Sequence, residues 1–270
     1  MRSLLLAVLA TYVVSAIHSV LAFVNKRRAL QRVSDWAMVI GFVLHTTALA
    51  VDWFVDGHYP LSSFPETLSF LAWTMVGGYS LVRYRYGAHA LGTFTLPEVS
   101  FLVFLSLLIG SPVSTEQLDL SSTWLFPVHT TLLIFAYAAF FVVFVASAMY
   151  LFQERALKLK AFSAIFHRLP SLTTLNEIAT SGTAIGLTLL TVGIASGMLW
   201  SSSRYGVIWH NDPKEIFAVL TWLLYLLLIV YRSTAHWRGR SAAWLGVAGF
   251  VLVLFTFLGA RWMGTYHVFG

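Results

Sequence analysis

The groups in this 270-residue chain best suited to hold a metal are its nine histidines. Cysteine is absent, which removes thiolate ligands, disulfides and cysteine nucleophiles together. The histidines do not stand in HxxH or HxxxH pairs, and no carboxylate–histidine cluster has the spacing of a zinc site. A different chemistry remains open to them. Neutral imidazoles from distant parts of a chain can converge on one metal from opposite sides if the elements carrying them bundle together. No nucleophile–base–orienter set and no phosphate-cradling glycine loop accompanies them.

The elements that must position these rings are membrane helices. The chain is 58% hydrophobic and only 10% charged, where soluble domains carry roughly 25% charge. Apolar runs near the roughly 20-residue bilayer length fall at about 3–24, 36–54, 67–82, 98–111, 127–151, 178–200, 215–231 and 241–261. They predict an all-α integral membrane protein, a bundle of about eight transmembrane helices forming one polytopic domain over 1–270. The run at 3–24 is long, and the basic NKRR follows it, so it reads as a span rather than a cleaved leader. Glu98 and Glu177 read as first-turn acids of their helices.

Charge sorts the loops into two sets. Thirteen of the seventeen Lys and Arg lie after the odd-numbered spans, leaving Arg2, Arg204, Lys214 and Arg261 for the termini and the other loops. The excess of +6 is therefore a topology signal rather than a nucleic-acid footprint, and it puts both termini on the outer side. His89, His167 and His236 fall in the basic inner loops, and His18 lies late in the first span. His58, His129, His210 and His267 fall in or beside outer segments, with Trp124, Phe126, Tyr205, Trp209, Trp262 and Tyr266 near the same boundary. An interfacial aromatic belt accounts for such rings, and so does a surface on which a flat macrocycle such as heme would stack while imidazoles reach its iron. His45 is different, since a polar ring in mid-membrane needs a partner. Thr46, Thr47 or a neighbouring helix would serve; ligation of a second, buried heme is the other reading. In WHNDPKE (209–215), Asp212 suits a helix N-cap, Pro213 the first helical position and Glu215 the third, a reciprocal capping arrangement.

Four stretches, in order, resemble the cytochrome c assembly proteins, the group that includes CcsA, CcmC and the HemX-type proteins. They are GHYPLSSFPETLSFLAW (57–73), the helix led by WLFPVHTT (124–131), YGVIWHNDPKE (205–215) with its following helix, and the final segment from HWRGR (236–240) to His267. The resemblance implies heme held at the outer face of a bacterial inner membrane. His129 and His267 would be the axial ligands, with Trp209, Tyr205 and Asp212 in the adjoining loop and His58 and His45 as further cofactor-binding candidates. It also implies an apocytochrome c and a membrane partner subunit as partners, beside the lipid bilayer. The tryptophan-rich segment is thinned, with Tyr205, Ile208 and Asn211 at aromatic positions of the pattern. Val230 stands where CcsA-type members carry an inner histidine, which leans the chain toward the HemX-like branch. Two functions follow: heme presentation in c-type cytochrome biogenesis, or a HemX-like regulator or scaffold of tetrapyrrole metabolism working through the basic inner loops 152–177 and 232–240.

Overall fold

The computed structural model describes residues 2–55, 57, 59–109, 123–160, 166–233 and 239–258. Among them the protein is all-helical. Eight long helices are present: α1 (Arg2–Asn25), α2 (Arg28–Phe54), α3 (Phe64–Tyr86), α4 (Gly92–Ile109), α5 (Leu125–Lys158), α6 (Leu172–Tyr205), α7 (Pro213–Ser233) and α8 (Arg240–Leu258). Seven of the eight are long and apolar enough to cross a membrane. The exception is α3, which at 23 residues has the length but carries more polar side chains. The protein is a multi-pass membrane protein, and its chain forms two compact units. One holds α1–α4 with residues 166–170; the other holds α5–α8.

In the first unit, α1 packs on α2 and α4, and α3 on α4. Small residues let bulky rings approach the backbone, as membrane helices must in the absence of a hydrophobic drive between them. A Cβ at Gly41 would lie 2.6 Å from the Tyr12 ring, and one at Gly92 2.3 Å from the Tyr79 hydroxyl. Polar side chains pair within the unit, because lipid offers them nothing. Ser15 donates to the Ser34 carbonyl at 2.8 Å, and Arg83 meets Asp35 at 2.6 Å. Arg168 donates to the Phe23 and Val24 carbonyls at the end of α1. At the start of α3, Ser63 and Glu66 form a capping box, and Gly87 ends the helix at φ +63°.

The second unit is organised by a glycine seam between antiparallel α5 and α6. A Cβ added at Gly182, Gly186, Gly193 or Gly197 would fall within 3.0 Å of Val143, Phe140, Leu133 and His129 respectively. The four glycines recur at intervals of four, seven and four, so they share one face of α6. α8 packs on α5 and α7, with Gly246 against Ser147 and Gly249 against Tyr225. The Tyr225 ring in turn stacks on Phe140 at 3.6 Å.

Two sequence expectations are corrected. Glu98 and Glu177 are not first-turn acids, because α4 begins at Gly92 and α6 at Leu172, well before the apolar runs. The Ser171 hydroxyl caps α6 by accepting from the Thr174 N–H at 3.1 Å. Arg232, assigned to a basic inner loop, is instead the last turn of α7 and only 5% exposed; its guanidinium donates to Asn176 at 2.8 Å.

Candidate functional site

The C-terminal end of α6 gathers most of the candidate residues the structure describes. His129 stands in the second turn of α5 and is half-buried. Its Nδ1 lies 2.7 Å from the Gly193 carbonyl of α6. A carbonyl can only accept, so Nδ1 carries the proton and, in the neutral ring, Nε2 carries the lone pair. The ring is seated over Gly197, where a Cβ would come within 2.4 Å of Cε1 and 2.5 Å of Nδ1. The Gly193 carbonyl also accepts from Ser196 Oγ at 2.8 Å.

One turn beyond Gly197, Trp200 is 4% exposed and starts a chain of aromatic rings. Phe126 lies 5.2 Å from it and Tyr205 5.7 Å, and Tyr205 meets His210 edge-on at 5.4 Å. α6 ends at Gly206, whose φ of +70° releases the chain into the loop. Ser201 Oγ holds that loop by donating to the Val207 carbonyl at 2.6 Å.

The loop closes on the start of α7 as the sequence predicts. Asp212 is 3% exposed, and its carboxylate accepts from the Lys214 N–H at 2.9 Å. Glu215 reaches back to accept from the Asp212 N–H at 3.3 Å, completing the reciprocal cap. The same carboxylate accepts from the His210 N–H at 2.9 Å, and its other oxygen is 3.3 Å from His210 Nδ1. Asn211 takes φ +57°, a conformation asparagine tolerates, and its side chain accepts from Trp209 Nε1 at 2.8 Å. Trp209 is thus tied to a loop that Glu215 ties to a helix.

His45 belongs to the first unit and is 0% exposed. Nδ1 meets Tyr12 Oη at 3.3 Å and Nε2 meets Ser69 Oγ at 2.8 Å, so both ring nitrogens are taken up by hydroxyls of α1 and α3. Thr46 and Thr47 turn back to the Phe42 and Val43 carbonyls of their own helix. His58 and His267 lie outside the described residues, as do Trp262, Tyr266 and residues 110–122. Among the described residues no cluster of three metal-ligating side chains occurs.

The sequence reading missed Gly193, Gly197 and Ser196, which lie against His129 or share its carbonyl partner, and Trp200, which starts the chain of rings. The four-seven-four glycine spacing was the available signal for the first two.

Comparison with known proteins places this arrangement. The profile of the cytochrome C assembly protein family matches residues 61–267. The chain is similar to the cytochrome c biogenesis protein CcsA of Prochlorococcus marinus (strain MIT 9301), 29% identical over 84% of this chain and 81% of that one. It is also similar to CcsA of Guillardia theta, 27% identical over 86% and 83%, and of Saccharum officinarum, 26% identical over 96% and 92%. Its fold resembles a solved structure titled Cytochrome c Heme Lyase CcmF, with a TM-score of 0.66 at 16% identity, over 96% of this chain. The match takes in 48% of that chain, so this protein spans about half its length. This chain belongs to the cytochrome C assembly protein family.

Proposed function

We propose that the protein handles heme in the maturation of c-type cytochromes, holding it at the outer face of a bacterial inner membrane with both termini outward. His129 and His267 would hold its iron, and the Trp209 loop would be the adjoining shelf. The single observation that carries the reading is the committed tautomer of His129. With Nδ1 donating to the Gly193 carbonyl, Nε2 is the nitrogen that can coordinate iron, and a hydrogen bond on the far nitrogen is the usual companion of a ligating histidine. The donor chemistry present therefore fits an iron porphyrin. Family membership and the naming of its CcsA relatives support the same reading.

Heme is cargo here, the group a c-type cytochrome receives. This chain binds it, orients it and shields its iron. With no cysteine of its own, it leaves the thiols for covalent attachment to an apocytochrome. A membrane partner with a larger outer domain recruits that apocytochrome.

The test is an absorbance spectrum with heme quantified per chain. The wild-type protein is expected to show a Soret band that the His129→Ala, His267→Ala double variant lacks. An unchanged spectrum in the double variant removes the ligand assignment.

A further inference from the structure

We propose that Gly193, Ser196 and Gly197 of α6 form a positioning and tuning device for His129, deciding which ring nitrogen faces the ligand and how strongly it donates. The inference rests on the heme reading above for its redox consequence, but its structural core does not. Three observations carry it. The Gly193 carbonyl accepts from His129 Nδ1 at 2.7 Å, which commits the tautomer. The same oxygen accepts from Ser196 Oγ at 2.8 Å. And the imidazole lies on Gly197 so closely that any Cβ there would overlap both Cε1 and Nδ1.

Each part has a separate effect. Gly197 is the seat: a methyl group at this position pushes the ring off α6, and the 2.7 Å bond to Gly193 breaks with it. The Gly193 carbonyl is the orienter. Its pull on the Nδ1 proton makes Nε2 more basic, as second partners of ligating histidines do. Ser196 is the moderator. A carbonyl already accepting from a hydroxyl pulls less on the imidazole, so removing that hydroxyl strengthens the Nδ1 bond. A more basic ligand favours ferric over ferrous iron and lowers the potential, since hydrogen bonding around the axial ligand is one of the protein's levers on heme. Serine here is chemically specific, because its hydroxyl reaches an oxygen of its own helix that another helix also uses.

The expected signatures differ between variants. In heme-free protein carrying 15N-labelled histidine, the His129 signal should be that of the Nδ1-protonated tautomer. A signal of the Nε2-protonated tautomer overturns the proposal, whether or not the protein ever binds heme. In heme-loaded protein, Ser196→Ala should keep its heme and shift the midpoint to lower potential; an unmoved midpoint overturns the moderating role. Gly197→Ala should retain about tenfold less heme, with an altered Soret band. Gly186→Ala is the matched control. Its Cβ would meet Phe140 at 2.4 Å on the same seam, two helical turns or more from His129. If Gly186→Ala and Gly197→Ala disturb the spectrum equally, the effect is seam packing and the seat is wrong. If His129→Ala leaves heme binding intact, the ligand reading fails, while the tautomer measurement still decides the structural claim.

Discussion

His45 and His129 stand on apolar helices of the two units, and each answers to hydrogen-bond partners on other helices. The partners differ in kind. His45 is enclosed by Tyr12 and Ser69, whose hydroxyls can give or take a proton, so either ring tautomer is satisfied. His129 faces a carbonyl that can only take one. The first ring is locked in place and undecided in chemistry; the second is decided in chemistry and left half-buried. Neighbours of His45 are a tyrosine and a serine, which fill space and close the shell. Those of His129 are glycines, which bring backbone oxygen to the ring and add no bulk. The contrast teaches that a membrane histidine becomes a candidate ligand through what its second nitrogen is given, more than through its depth.

The largest effect that would break this comparison is on heme content. His129→Ala is expected to drop the heme retained per chain to background, while His45→Ala retains the wild-type amount once corrected for folded protein. Equal losses in a pyridine hemochrome assay would erase the distinction. Next in size is stability. His45→Leu leaves the Tyr12 and Ser69 hydroxyls buried without their partner and should cost about 2 kcal/mol, read by unfolding in mixed micelles. Loss of a helix cap comes third. Ser63→Ala and Asp212→Ala should each cost about 1 kcal/mol, and Asp212→Ala should also loosen Trp209, seen as a red shift of its fluorescence. Smallest is Tyr12→Phe, at about 0.6 kcal/mol as for interhelical hydrogen bonds in membranes generally. Combined with His45→Leu it should recover part of the larger loss, because the stranded tyrosine hydroxyl is gone.

Much of the helix layout was legible because a membrane span writes itself locally, as an apolar run of bilayer length. Its ends were less so. The run at 178–200 belongs to a helix that begins earlier, at Leu172. Helices that outlast the bilayer continue in polar residues, where hydropathy is silent. The Asp212–Glu215 cap was readable because all its parts lie within four residues. His45 was expected to find Thr46, Thr47 or a neighbouring helix, and it finds two neighbouring helices. The His129 seat was not readable, since Gly193 and Gly197 lie more than sixty residues away, and only the register of α5 on α6 brings them to the ring.

That register has a mechanical meaning. Along α5 the side chains of His129, Leu133, Phe140 and Val143 drop into gaps at Gly197, Gly193, Gly186 and Gly182 of its antiparallel neighbour, like wards in a lock. Spacings of four, seven and three meet spacings of four, seven and four. A rod pair keyed at four points does not act as a piston. Movement between these two helices has to come from bending or from a separate segment, with the two rods as the fixed frame against which it is made.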